Sequence, residues 1–390
     1  MPDRATDEQF LQRALDEARR GTGLASPGPY IGAIIVDSGG RVAGTGFYTY
    51  DRVKHAEVLA LEQAGANARG GTLYINLEPH CHQGRTPPCT DALIEAGIRR
   101  VVACMPDPNP KVSGKGFEQL RTAGIAVDVG GFESEARRLN EAFARYIRNG
   151  IPLVTLKSAM TLDGKIAPPP GAKSDHKAGI PPGGWITGET ARANVHEQRH
   201  QSDAILVGIG TILADDPLLT DRSGRPRQRP LLRVILDSHL RLPLNSRLVQ
   251  SVLNNGTPRK DVLVFYCRAE ENKKKALEGC GIQIEQLPQA SSDARLDMHA
   301  VVRRLGKLEI TSLMIEGGAS VNGSALAAGI VDKVFLYYAP KIMALDGSIP
   351  FASGAALSGP LHTPQVEHLQ IHRFAEDFAA EGYLRDPYDD

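Results

Sequence analysis

Hydrophobic positions along this chain of 390 residues follow two periods in alternation, a helical one and the short runs typical of strands. Phe10, Leu11, Ala14, Leu15 and Ala18 share one helical face, and residues 6–9 read as a capping box that opens the helix. After a turn-rich loop at 21–29, residues 30–37 form a near-continuous apolar strand whose hairpin partner is 41–47. His55-Ala56-Glu57 heads an amphipathic run at 58–64. Strands are predicted at 72–77, 100–104 and 126–129, and helices at 90–96, 117–123 and 134–148. Asn149-Gly150-Ile151-Pro152 reads as a boundary, giving domains 1–149 and 150–390. Beyond it the pattern predicts strands at 153–158, 204–208, 232–237, 261–266, 313–316 and 333–338. Helices are expected at 189–201, 270–278 (stopped by Gly279), 298–308 and 321–329. The stretch 168–184 is rich in proline and glycine and reads as a flexible insert. Alternating strands and helices predict an α/β protein of two domains, the first an α/β/α sandwich.

Composition narrows the class. Apolar residues at 42% and charged residues at 23% fit a globular chain with ample core. Basic and acidic residues number 45 each, and this balance argues against an electrostatic nucleic-acid or membrane binder. Cysteines 81, 89, 104, 267 and 280 are few, odd in number and irregularly spaced, which suits a reducing cytoplasm rather than a disulfide framework. The polar, acidic start predicts no signal peptide, and no apolar run approaches the ~18 residues of a membrane span.

The densest chemistry lies between Lys54 and Asp91. His55 and Glu57 stand about 200° apart on a helix, so both reach one centre only at its N-terminus. Cys89 follows Pro87-Pro88 at the head of the next helix, where the dipole favours a thiolate. His-x-Glu followed by a proline-linked Cys/His group is the pattern of zinc deaminases, in which a zinc-activated water attacks an amino-bearing ring carbon and a glutamate moves the protons. Glu57 is the candidate for that role. Two strand ends also carry glycine, 205–211 and 315–320, where backbone amides can approach a phosphate; each could equally be a plain tight turn.

His55-Ala56-Glu57, Leu77-Glu78-Pro79 and His82-Gln83-Gly84-Arg85-Thr86-Pro87-Pro88-Cys89 together resemble the deaminase half of the bifunctional riboflavin-biosynthesis deaminase/reductase. The resemblance implies a cytidine-deaminase-like domain that binds zinc, with Arg85, Thr86, Asp107 and Asn109 touching the substrate. Three places depart from it. The family's first zinc cysteine directly follows Glu-Pro, whereas this chain has His80 and then Cys81. Either His80 joins His55 and Cys89 as a ligand, or the loop slips and Cys81 does; eight residues separate His80 from Cys89, as between the family's cysteines, and this register favours His80. Pro27-Gly28-Pro29 stands where the family has Pro-Asn-Pro, and 48–54 replaces a glycine-rich approach to the zinc histidine.

The second half resembles the family's reductase, in Ser158 to Lys165, Trp185-Ile186-Thr187, Gly208 to Thr211, Ala214-Asp215-Asp216-Pro217, Asp237-Ser238 and Glu316-Gly317-Gly318. The resemblance implies a dihydrofolate-reductase-like fold that uses NADPH. Ala159, Trp185, Thr211, Asp215, Ser238 and the run Gly318, Ala319, Ser320, Val321, Asn322, Gly323 and Ser324 would line the dinucleotide. Arg199, Leu219, Arg222 and Glu316 would hold the phosphorylated substrate, with Arg199 and Arg222 as a phosphate clamp. Gly183 stands where a family serine contacts substrate. The expected activity is deamination of 2,5-diamino-6-ribosylamino-4(3H)-pyrimidinone 5′-phosphate followed by reduction of its ribosyl chain to ribityl. The expected partner is that small molecule, with neither nucleic acid nor membrane, in a cytoplasmic chain that could be a homo-oligomer. Two rivals are a nucleic-acid deaminase, which usually carries Pro-Cys-x-x-Cys, and a reductase whose zinc fold is only structural.

Overall fold

A computed structural model of the chain describes residues 4–52, 54–84, 87–169, 171, 185–253, 260–290, 295–354 and 363–389. Its contacts gather into two units, Met1–Gly150 with Pro226–Arg229, and Ile151–Arg225 with Pro230–Asp389. In the first unit the elements run α1 (Arg4–Arg19), β1 (Gly32–Val36), β2 (Val42–Phe47), α2 (Ala56–Ala64), β3 (Thr72–Ile75), α3 (Cys89–Glu95), β4 (Arg100–Ala103), α4 (Lys115–Thr122), β5 (Ala126–Val129), α5 (Glu133–Leu139) and α6 (Glu141–Asn149). The sheet order is β2-β1-β3-β4-β5, antiparallel about β1 and parallel from β3 to β5. Two glycine sites set the layers. A Cβ on Gly32 would lie 2.1 Å from Ala14 O in α1, and one on Gly44 would lie 2.1 Å from Ala60 O in α2. Both helices therefore rest directly on the backbone of the hairpin.

Two expectations for this unit are corrected. Helix α1 already runs at Arg4, so Thr6 is an interior residue and not a cap; Asp7 instead accepts from Tyr74 and, through both oxygens, from Arg100. The single helix expected at 134–148 is two, broken at Asn140 (φ −106°, ψ 14°). The Asn140 amide reaches the backbone of Tyr30, accepting from its N–H at 2.8 Å and donating to its carbonyl at 3.1 Å. A tertiary bond thus overrides continuous helical periodicity.

In the second unit the order is β6 (Leu153–Thr161), β7 (Lys165–Ala167), α7 (Glu189–Gln201), β8 (Ala204–Gly208), α8 (Ile209–Asp215), β9 (Leu232–Leu236), α9 (Arg247–Leu253), β10 (Val262–Tyr266), α10 (Glu271–Gly279), β11 (Gln283–Gln286), α11 (Met298–Lys307), β12 (Ser312–Ile315), α12 (Ala319–Ala327), β13 (Lys333–Ala339), β14 (Ile349–Pro350), β15 (Glu367–Phe374) and β16 (Asp377–Tyr383). Nine strands form one sheet, β11-β10-β9-β8-β12-β6-β13-β16-β15, parallel as far as β13 and antiparallel beyond. Central strand β8 is buried at every residue, as a sheet covered on both faces requires. The small-residue turn expected after β8 is instead the first turn of α8, because Gly208 is its extended N-cap. Gly279 is the last residue of α10 rather than its stop; the left-handed turn falls at Gly281 (φ 78°). Elements α9, β7, β11, β14, β15 and β16 lie outside the predicted set. Among the described residues no helix is long and apolar enough to cross a membrane.

Candidate functional site

In the first unit, His55 is the N-cap of α2 in extended backbone, and Cys89 is the first residue of α3. The loop after β3 supplies His80, whose carbonyl accepts from Cys89 N at 3.1 Å and Thr90 N at 3.3 Å, capping α3. The metal-ligating atoms of His55, His80 and Cys89 all lie within 4.8 Å of one another, and Cys89 Sγ is 3.3 Å from His55 Nδ1. Ligands on one tetrahedral zinc stand about 3.5 Å apart, so two imidazoles and a thiol at these separations fit that ion. Cys81, partly exposed, is outside the cluster.

Glu57 lies beside the cluster, 1% exposed, with Oε2 buried and without a hydrogen-bond partner. Burial raises its pKa, partly opposed by its own amide and by Cys89. Burial, and next to it the Glu57 charge, also push the Cys89 thiol far above its ordinary range. Burial of the sulfur thus opposes the thiolate that the head of α3 was expected to favour.

The loop at 105–117 is held by Glu78, a residue to which sequence reasoning gave no role. Its buried carboxylate accepts from the backbone N–H groups of Asp107, Gly114, Gly116 and Phe117 at 2.8–3.2 Å. Asp107 and Asn109, the expected substrate contacts, use one side-chain oxygen each to hold the turn, accepting from Asn109 N and Lys111 N. Burial, more than its neighbour Glu78, pushes the Asp107 carboxyl up to about 7. Arg85, Thr86 and Gly183 lie outside the described residues.

The second unit contains a cavity of about 1760 Å³ at the carboxyl ends of its parallel strands. Ala159, Trp185, Thr211, Asp215, Ser238, Gly318, Ala319, Ser320, Val321 and Ser324 line it, as do Arg199, Leu219, Arg222 and Glu316. Asn322 and Gly323 do not. The Asn322 amide donates to Phe351 O, and Gly323 packs on the Ser353 backbone, 2.3 Å from where a Cβ would stand. The cavity has room for a dinucleotide. Helix α12 opens onto it with Gly318, Ala319 and Ser320 and no capping side chain, leaving first-turn amides for a phosphate. Trp185 is 67% exposed, with the Arg192 guanidinium 5.2 Å from its ring centroid.

The expected arginine clamp is changed by Glu316. Arg199 meets it through two parallel bonds, Nε to Oε1 at 2.7 Å and Nη2 to Oε2 at 2.9 Å, and gives Nη1 to Thr220 O. Lys157 Nζ stands 3.5 Å from the same carboxylate. Burial would raise the Glu316 pKa, but the two cations hold it at about 2. The Arg199 fork is therefore engaged within the wall, and Arg222 lines the same cavity. Leu219 sits on the wall with φ 54°, a left-handed conformation that costs on the order of 1 kcal/mol. Lys157 and His196 also line the cavity and were missed; each lies inside an element whose periodicity explained it without a function.

Comparisons with known proteins agree in both halves. Residues 152–380 match the family described as RibD C-terminal domain, and residues 4–105 match the cytidine and deoxycytidylate deaminase zinc-binding region. The riboflavin biosynthesis protein RibD of Aquifex aeolicus is 42% identical over 340 residues, 87% of this chain and 88% of that protein. Its counterpart in Escherichia coli is 38% identical over 87% of this chain and 89% of that protein. The structure of Acinetobacter baumannii RibD superposes with a TM-score of 0.81 at 31% identity, covering 97% and 99% of the two chains. A Thermotoga maritima diaminohydroxyphosphoribosylaminopyrimidine deaminase/5-amino-6-(5-phosphoribosylamino)uracil reductase superposes at 0.77, 34% identical over 97% and 99%.

Proposed function

The chain belongs to the RibD family of riboflavin-biosynthesis proteins, and from that premise we propose which of its residues carry the family's two reactions. It is a bifunctional enzyme, a zinc-dependent deaminase in its first half and an NADPH-dependent reductase in its second. The deaminase acts on the diaminopyrimidine ribosylamine 5′-phosphate, and the reductase converts the ribosyl chain of the product to ribityl.

The observation that carries the first assignment is the cluster His55, His80 and Cys89 beside the buried Glu57. These three residues would hold zinc, which when bound acts as a Lewis acid and brings the pKa of water toward neutrality. Glu57, with Oε2 unpartnered, takes a proton from the attacking water and returns it to the departing amino nitrogen, which leaves as ammonia. Its raised pKa suits a group that must carry the proton between these two steps. Glu78 fixes the 107–116 loop from which Asp107 and Asn109 meet the pyrimidine.

NADPH, when bound in the reductase cavity, would supply the hydride for the reduction. Gly318, Ala319 and Ser320 at the head of α12 would offer amides to its pyrophosphate, and Ala159, Trp185, Thr211, Asp215 and Ser238, which line the cavity, would hold the rest of it. Arg222 meets the substrate phosphate, and the Arg199–Glu316 pair with Lys157 forms a rigid polar wall. Five free thiols fit a reducing compartment, and we place the enzyme in the cytoplasm.

The two activities are separable by experiment. Purified protein treated with a chelator stops releasing ammonia from the diaminopyrimidine substrate, yet still oxidises NADPH when given the deaminated substrate. NADPH oxidation that falls in step with zinc removal, in protein that stays folded, contradicts independent sites.

A further inference from the structure

We propose that His200 is a positioning residue of the reductase: through Asp221 it fixes the turn that presents Arg222 to the substrate phosphate. The inference rests on the reductase assignment above. Arg222 lines the cavity from an exposed position. Among the described residues no hydrogen bond or ion pair holds its guanidinium, so its reach is set by the backbone that carries it. Asp221 and Ser223 flank it and close that backbone. Asp221 Oδ1 accepts from Ser223 N at 2.8 Å, a turn made by a side chain across one residue.

Helix α7 fastens this turn. Asp221 Oδ2 lies 2.8 Å from Nδ1 of His200, in the last turn of α7, and Ser223 Oγ lies 3.1 Å from the same nitrogen. His200 is 1% exposed. Burial would raise the Asp221 pKa, but the Ser223 amide and then the His200 bond hold it at about 2. The group is thus a carboxylate, which only accepts, so Nδ1 carries a proton and donates it to Asp221. Two arginines hold the preceding residues. Arg233, 3% exposed, gives Nη1 to Leu218 O at 3.1 Å, and Arg199 gives Nη1 to Thr220 O at 3.1 Å. Between them stands Leu219, at φ 54°. Such a conformation persists where its surroundings over-determine it.

The charge at position 221 explains what the histidine is for. A phosphate ester carries close to two negative charges at neutral pH. A loose carboxylate adjacent to the arginine that meets it would compete for the guanidinium and repel the ester. Bonded to a buried imidazole, the Asp221 carboxylate is kept against α7, which leaves the Arg222 fork for the phosphate. His200 itself does not line the cavity. It acts through Arg222, and its effect falls on substrate binding.

Steady-state NADPH oxidation by the full-length enzyme, with the deaminated substrate varied, tests this. His200→Ala is expected to raise KM for that substrate about tenfold, the loss of one charge-assisted hydrogen bond, with kcat and the KM for NADPH changed less than about twofold. His200→Asn, whose amide can donate from near the place of Nδ1, should restore most of the parent's KM. Asp221→Ala removes the same bond without touching α7 and should raise KM at least as far, including where His200→Ala does not fold. Adding Arg222→Ala to either variant should raise KM no further than Arg222→Ala alone, because nothing is left to position. Increases that multiply in the double variant overturn the proposal. So does the parent's KM in Asp221→Ala, or a fall in kcat with KM unchanged. A parent that oxidises no NADPH with this substrate removes the reductase reading and this proposal with it, a result separate from these.

Discussion

The amide of Cys89 donates to the carbonyl of His80 at 3.1 Å. This bond ties the loop after β3 to the first turn of α3 and so sets the imidazole of His80 next to the thiol of Cys89. Residue 80 is held there by backbone, whatever its side chain, and a histidine at this position lies within 4.8 Å of the other two ligating atoms. An imidazole at this position brings one negative charge fewer to the cluster than a thiolate would.

Glu57→Gln keeps the shape of the buried side chain but cannot carry a proton. It is expected to lower deamination by about 10²–10⁴-fold while zinc content stays at the parent's value. Ammonia release and metal analysis on the same preparation check this, and a variant that deaminates at the parent rate excludes Glu57 from proton transfer.

Glu78→Ala removes the acceptor of four backbone N–H groups. With the buried donors unsatisfied, the first unit should lose on the order of 3 kcal/mol or more of stability. Denaturant unfolding followed by the single unit's signal measures it, and deamination should fall with it because the 107–116 loop is no longer fixed.

How far such roles were legible in the sequence depends on whether the cause is local. The α2 and α3 heads, with His55, Glu57 and Cys89, could be read because caps and helix phase are short-range. The β8 and β12 strand ends could be read from apolar runs that stop at glycine. Asn140 breaks a helix through a bond to Tyr30, 110 residues away, and no periodicity records that. Glu78 belongs to a motif, but its work is done on a loop 29–39 residues later. Arg199 was legible as a cavity cation; that its fork belongs to Glu316 follows only from how α7 packs at the end of β12.

Asp107 has a folded pKa of about 7 against an ordinary value of 3.8, because burial favours the neutral acid. The folded state binds the proton more tightly, so this group's stabilising contribution is fully present below pH about 4 and is lost as pH rises towards about 7. Asp107→Asn removes the ionisation and keeps the acceptor for Asn109 N. It should flatten that part of the stability profile and be more stable than the parent at pH about 8. Unfolding free energies at pH about 5 and about 8 decide it; parallel profiles for the two proteins contradict the assignment.

The ligand set is the central claim, and metal content tests it most directly. Purified Cys81→Ser and His80→Ala proteins are analysed for zinc per chain beside the parent. The structure predicts that Cys81→Ser keeps about one zinc and His80→Ala loses it. Zinc lost from Cys81→Ser and kept by His80→Ala, or kept by both, contradicts the account.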